Sequence, residues 1–128
     1  MTADLNLLVW AVVLTLVQLV IAIVGATTQF SMPVLSGNRE PPCDGRGWVG
    51  RAQRAHRNML ESLPLFAILV LVAHAAGKEN AMTLLGAQLF VYSRAVFAVI
   101  YYAGIPWLRT LVWSVSLVGL VLILLQLL

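Results

Sequence analysis

The sequence predicts an all-α integral membrane protein whose single domain is a bundle of four transmembrane helices. Of its 128 residues, 61% are hydrophobic and only 10% are charged, whereas soluble globular domains carry about 25% charged residues. The apolar residues are collected into runs of about 20 or more, the length that crosses a hydrocarbon core about 30 Å thick. Runs this long and this numerous exceed what the core of a small soluble bundle needs.

Glycine, proline and polar residues divide the chain into four apolar segments. The stretch SMPVLSGNREPPCDGRGWVG, with a proline or glycine every few residues, predicts a loop after the first segment. Gly77 follows the second segment at a helix C-terminal position, and Gly104 and Pro106 separate the third segment from the fourth. The predicted transmembrane helices cover about residues 5–29, 49–76, 81–103 and 107–128, and the loop covers about residues 31–48.

The distribution of basic residues predicts the orientation in the membrane. The loop after the second segment has only Lys78, which Glu79 balances. Under the positive-inside rule, the 31–48 loop faces the cytoplasm and both termini lie on the opposite side. Because most basic residues cluster at one loop, the net charge of +3 does not indicate a nucleic-acid partner. Five of the eight basic residues lie in or beside the 31–48 loop: Arg39, Arg46, Arg51, Arg54 and Arg57.

Polar residues continue from this loop into the second apolar segment. Arg54, Arg57, Asn58 and Glu61 are spaced so that they share one face of a helix. Glu61 lies about 15 Å along the helix from Arg51. A charge at the bilayer centre costs about 2.5–3.5 kcal/mol on insertion scales. Each embedded charge therefore requires a partner or a function.

The third and fourth segments place further polar residues at the same side of the membrane. Arg94 lies about 13–14 Å from the end of the third segment, a depth similar to that of Glu61. Tyr101 follows Arg94 by two helical turns on the same face. Arg109 falls in the first turn of the fourth segment, where free N–H groups and the helix dipole favour an anion. Together these residues predict a pocket for a small anionic molecule that opens toward the cytoplasm.

Simpler explanations remain open for several of these residues. Arg51 and Arg54 also suit the role of topology anchors at the lipid head groups. Arg57 and Glu61 have the spacing of an ion pair within one helix, and Glu61 and Arg94 could join two helices. For the deeper pair, a structural role and a ligand-binding role are equally compatible with the spacing.

The sequence predicts no metal site and no nucleophilic triad. The two histidines, His56 and His74, are eighteen residues apart and have no set of further ligands at suitable spacing. His56 points away from the polar face by helical spacing, which favours a packing or interface role. The single Cys43 cannot form an internal disulfide, so a reduced thiol is expected.

Two stretches resemble the MAPEG family, the membrane-associated proteins of eicosanoid and glutathione metabolism. They are RAQRAHRNMLESLP at 51–64 and SRAVFAVIYYAGIPWLRTLVW at 93–113, and nearly the whole chain follows the family's four-helix layout. The resemblance implies a homotrimer with glutathione bound between neighbouring subunits near the cytoplasmic side. The short loops are similar to those of bacterial members, which implies a bacterial inner membrane.

The resemblance also implies roles for individual residues. If one residue is inserted in the preceding loop, Arg109 aligns with the family's arginine that stabilises the glutathione thiolate. The resemblance therefore implies a catalytic role for Arg109. Arg54 and His56 are expected to support the site, as is Arg94, which matches a buried arginine of the family. The residues implied to bind glutathione are Arg57, Asn58, Glu61, Tyr101 and Thr110.

The activity implied by the resemblance is that of a membrane glutathione transferase or peroxidase acting on lipophilic electrophiles from the bilayer. Glutathione carries two carboxylates and one ammonium group, which suit arginines and a single glutamate. A guanidinium at a helix N-terminus would lower the pKa of the glutathione thiol and hold the thiolate.

The chain also departs from the family pattern. The end of the first segment, ATTQFSMP, lacks the arginine that several eukaryotic members have there, and Phe97 and Trp113 stand where some members have polar ring-bearing residues. These differences leave the second substrate open. A non-catalytic membrane scaffold or small-anion-binding protein of the same fold is the alternative. A small exporter is less favoured because the charges cluster toward one side.

Overall fold

The computed structural model describes residues 1–128 and contains helices but no strands. Four of the five helices are long and apolar enough to cross a membrane, which confirms the predicted all-α membrane fold. The helices are α1 (Ala3–Gln29), α2 (Met32–Ser36), α3 (Trp48–Ala75), α4 (Ala81–Ala103) and α5 (Pro106–Leu127). We call the end with residues 30–47 and the α4–α5 turn the loop end, and the end with Thr2, residues 76–80 and Leu127 the terminal end.

The segment predicted as a loop at 31–48 contains the short helix α2. Pro33 lies in its first turn, where the missing N–H group costs no helical hydrogen bond. Leu35 is buried, and Arg39 Nε donates to the Leu35 carbonyl at 2.6 Å just beyond the helix end. The proline and glycine content alone does not predict this helix, because a buried contact stabilises it.

The turn between α4 and α5 sets the position of the α5 N-terminus. Gly104 adopts a left-handed conformation (φ +80°), and its N–H group donates to the carbonyls of Ile100 and Tyr101 at 3.0 Å each. Pro106 then begins α5 with a backbone preset for a helix. This tight turn places Arg109, in the first turn of α5, beside the last turns of α4.

Close packing of α4 against its neighbours forms the core. A Cβ atom on Gly86 would lie 2.6 Å from the Gly119 carbonyl oxygen, so only glycine permits this approach of α4 and α5. Phe66 of α3 stacks on Phe90 of α4 with ring centroids 4.2 Å apart. Half of the most apolar stretch of α4 is buried, against 22% in each other long helix. Helix α4 is therefore the central helix of the bundle.

Hydrogen bonds close the terminal end of the bundle. Glu79 accepts from the Thr2 hydroxyl at 2.8 Å and pairs with His74 Nδ1 at 3.1 Å. The hydrogen bond from His74 is the main cause that holds the pKa of Glu79 below its ordinary value. Two further hydrogen bonds tie this turn to the end of α5: Lys78 Nζ to the Leu127 carbonyl (3.3 Å) and Asn80 Nδ2 to Gln126 Oε1 (3.0 Å).

Candidate functional site

A cavity of about 280 Å³ lies between α3, α4 and α5 in the loop half of the bundle. Three helices supply its walls because Asn58 of α3 and the last turns of α4 reach similar depths. Four of its residues are among those expected to bind a ligand, and the fold brings them together. The lining consists of Asn58, Phe97, Tyr101, Arg109, Thr110 and Trp113.

Side chains on one face of α4 form a stack that ends at Arg109. The Arg94 guanidinium carbon lies 4.4 Å from the Phe97 ring centroid. Phe97 meets Tyr101 edge to face with ring centroids 5.4 Å apart. The Arg109 guanidinium carbon lies 4.6 Å from the Tyr101 ring centroid, a cation–π contact. Arg109 is held by an aromatic ring and has no carboxylate within ion-pair distance, so its N–H groups remain available to an anion.

Arg94 lies behind the cavity and does not line it. Its side chain is fully buried, with 0% exposure. Nη2 donates to Asn58 Oδ1 at 2.8 Å, whereas Nε and Nη1 have no hydrogen-bond partner. Arg94 is thus connected to the cavity through two residues that line it, Asn58 and Phe97.

The charged residues of α3 lie apart from this cavity. Arg54, Arg57 and Glu61 are exposed on the surface of the single chain, and none of them lines the cavity that contains Arg109. The ion pair between His74 and Glu79 is the only one in the chain. Neither the Arg57–Glu61 pair nor the Glu61–Arg94 pair forms, although the sequence permits both.

A second cavity, of about 300 Å³, holds two of the predicted residues, His56 and Arg57. Gln53 fixes the loop that covers it, since Gln53 Oε1 accepts from the Gly45 N–H group at 2.7 Å and Nε2 donates to the Cys43 carbonyl at 3.1 Å. Four predicted residues therefore line the first cavity, two line the second, and Arg54, Glu61 and Arg94 line neither. The complete lining is Ala22, Arg39, Pro42, Cys43, Asp44, Gln53, His56 and Arg57.

Two aromatic wall residues, Phe97 and Trp113, are not among the residues predicted to bind a ligand. Phe97 is buried and Trp113 is half-buried, and together they form the apolar wall of the smaller cavity. Their spacing in the sequence could have identified them. Phe97 follows Arg94 by three residues and Trp113 follows Arg109 by four, so each aromatic residue shares a helix face with an arginine.

The arrangement suits a small molecule with one anionic and one apolar part. Arg109, Asn58 and Tyr101 offer hydrogen-bond donors, while Phe97 and Trp113 offer aromatic surface. No group of three or more His, Cys, Asp or Glu side chains could hold a metal ion. The cavity thus offers hydrogen-bond donors that can bind an anion.

Fold and cavity together define an integral membrane protein of four spanning helices with a cationic and aromatic site among three of them. The MAPEG family model matches residues 7–128, and the chain belongs to the MAPEG family. It is thus a membrane protein of the family of glutathione and eicosanoid metabolism. Direct comparison finds no matching curated protein and no matching solved structure.

Proposed function

We propose that this protein is a membrane-bound glutathione transferase or peroxidase that uses Arg109 to stabilise the glutathione thiolate. The observation that carries the proposal is the cavity in which Arg109, free of any carboxylate, lies over Tyr101 and beside Asn58 and Thr110. The cavity, of about 280 Å³, is near the lower limit of small-molecule sites. It would hold the thiol-bearing part of the tripeptide.

Arg109 acts on the thiol through its charge and its position. A thiol attacks electrophiles only as the thiolate, and a nearby guanidinium lowers the thiol pKa. The first turn of α5 adds free backbone N–H groups and the positive end of the helix dipole. Thr110, one residue later, also lines the cavity, where its hydroxyl donates to the Pro106 carbonyl at 3.3 Å.

The exposed charges of α3 support an assembly of several chains. Glu61 is exposed about 20 Å from the start of α3, a depth at which an unpaired carboxylate in a membrane is costly. A neighbouring copy and a bound ligand would cover this face, with Arg57 and Glu61 binding the charged ends of glutathione. We therefore propose the homotrimer of the family, with Arg54, His56 and Arg94 in supporting positions.

The second substrate is proposed to be a lipophilic electrophile that enters from the bilayer. Phe97 and Trp113 give the cavity an aromatic wall, which favours an apolar reaction partner next to the sulfur. The basic residues near the 31–48 segment support an orientation with the site toward the cytoplasm and both termini opposite. The proposed location is the bacterial inner membrane.

The experiment is a glutathione titration of the detergent-purified protein, followed by ultraviolet absorbance of the thiolate. Arg109→Ala should abolish the thiolate signal while the oligomer persists. Arg46→Ala, a matched loss of an exposed arginine at the loop end, should retain it. Thiolate absorbance that is unchanged in Arg109→Ala would remove Arg109 from the role.

Turnover assays with a chromogenic aromatic halide and with an organic peroxide separate the proposal from the non-catalytic alternative. Conjugation or peroxide reduction by the wild type supports an enzyme. Glutathione binding without turnover of either substrate type would favour a small-anion-binding protein or scaffold, and no glutathione binding would refute the proposal.

A further inference from the structure

The hydrogen bond between Arg94 and Asn58 determines which end of the Asn58 amide faces the cavity. A guanidinium carries only donors, so it can bond only the amide oxygen. Asn58 Oδ1 accepts from Arg94 Nη2 at 2.8 Å and so points toward Arg94, and Asn58 lines the cavity. The remaining polar group of this side chain is its NH₂, which makes no hydrogen bond within the chain.

We infer that Arg94 is a positioning residue that acts through Asn58 and makes the cavity selective for anionic groups. With its amide oxygen turned toward Arg94, Asn58 presents its NH₂ donors to the cavity, as Arg109 presents its N–H groups. Carboxylates and thiolates accept such bonds, whereas an ammonium group does not. The inference rests on the proposed glutathione site and assigns Asn58 to an anionic part of the ligand.

The depth of Arg94 distinguishes it from an arginine that only bridges helices near the membrane surface. Arg51 joins the same two helices near the loop end, where its Nε donates to the Tyr102 carbonyl at 3.0 Å. At that level a charged side chain can reach the head groups at little cost. Arg94 is fully buried and leaves Nε and Nη1 without partners, an arrangement that costs far more inside a membrane. The feature that Arg94 has and Arg51 lacks is its bond to a side chain of the cavity wall.

The test is a double-mutant cycle in the full-length detergent-purified protein, with the Kd of glutathione as the readout. Arg94→Met and Asn58→Ala should each raise Kd about tenfold, the scale of one hydrogen bond to a charged group. The double variant should equal Asn58→Ala alone, because Arg94 acts through Asn58. Effects that multiply in the double variant would overturn the inference, since Arg94 would then act independently of Asn58.

Arg51→Gln is the matched control, because it removes an arginine that bridges the same two helices. Its Kd should stay within about twofold of the wild type, the scatter expected for an uncoupled site. A Kd increase in Arg51→Gln equal to that in Arg94→Met would overturn the inference, since any lost cation between α3 and α4 would then have the same effect.

A variant that preserves shape covers the case in which Arg94→Met does not fold. Asn58→Asp keeps a partner for Arg94 but turns an acceptor oxygen toward the cavity. It should therefore weaken glutathione binding more than Asn58→Ala does. Equal or tighter binding by Asn58→Asp would show that the amide oxygen, not the NH₂ group, meets the ligand, and would overturn the inference.

A second readout separates this inference from the proposed function. The protein used here keeps Trp113 as its only tryptophan, so that its fluorescence reports on the cavity. The anion iodide should quench this fluorescence more than the cation caesium does, when each is compared with the neutral quencher acrylamide. Arg94→Met should reduce this iodide preference when Asn58 is present but not in Asn58→Ala. If the wild type binds no glutathione yet shows this coupling, the proposed function fails and the inference stands. Glutathione binding without the coupling refutes only the inference.

Discussion

The terminal end and the loop half of this bundle differ in whether their charged side chains form ion pairs. At the terminal end, Glu79 binds both Thr2 and His74, and two more hydrogen bonds join the same turn to α5. In the loop half, Arg109 and Glu61 form no ion pair within the chain. Paired polar groups hold helices together, whereas unpaired ones at membrane depth indicate a ligand or a neighbouring subunit.

Backbone packing shows the same contrast. The approach of Gly86 and Gly119, in the terminal half of α4 and α5, leaves no room for a side chain. The loop half of the same two helices, together with α3, encloses the cavity lined by Tyr101 and Arg109. Substitutions at the terminal end should therefore change stability, and substitutions at the loop end should change ligand binding.

The largest expected effect on stability is that of Gly119→Ala. The added Cβ atom would lie 2.5 Å from the Gly86 carbonyl oxygen, so α4 and α5 must separate. Overpacking of this kind costs about 1–3 kcal/mol, and thermal unfolding in detergent should show a lowered midpoint. Val118→Ala, at an exposed neighbouring position, is the control. A Gly119→Ala protein as stable as the wild type would contradict the assignment of this crossing as structural.

Glu61→Gln should produce the opposite pattern, with weaker glutathione binding and little change in the unfolding midpoint. Loss of the carboxylate removes a charge-assisted bond to the ligand's ammonium group, which should raise Kd about tenfold. Arg51→Gln should leave Kd nearly unchanged, because Arg51 serves helix contacts and topology. If Glu61→Gln lowers stability and leaves Kd unchanged, Glu61 belongs with the structural residues.

The smallest expected effect is that of Glu79→Gln. Because the pKa of Glu79 is lowered from its ordinary value of 4.5, its contribution to stability is complete above that pH and is lost as the pH falls through the folded-state pKa. The variant should lower the neutral-pH unfolding midpoint by a few degrees at most and remove this part of the acid dependence. Glu40→Gln, at an exposed position, should do neither.

Thermal unfolding between pH 7 and pH 3 measures the difference in unfolding midpoint between Glu79→Gln and the wild type. A glutathione titration of Glu79→Gln at neutral pH should give the wild-type Kd. A change in that Kd would contradict the conclusion that the terminal end affects stability and not ligand binding.

Much of the candidate site could be predicted from the sequence, because helical spacing and depth place residues well. Asn58 on α3, Tyr101 on α4 and Arg109 at the start of α5 lie at one side of the membrane by counting residues. The structure brings them to one cavity. Spacing did not predict that Arg57 faces a different cavity, because it defines a helix face but not the neighbour that the face meets.

The sequence by itself determined the membrane class, the four spanning segments and the side of the bundle that carries the charges. These follow from hydropathy, periodicity and helix-ending residues, all of which are local properties of the chain. Only the tertiary structure decided the approach of Gly86 to Gly119, the bond from Arg94 to Asn58 and the division of the polar residues between two cavities. Each depends on how the helices rotate against one another. Contacts between residues distant in sequence set this rotation, and no local sequence pattern contains it.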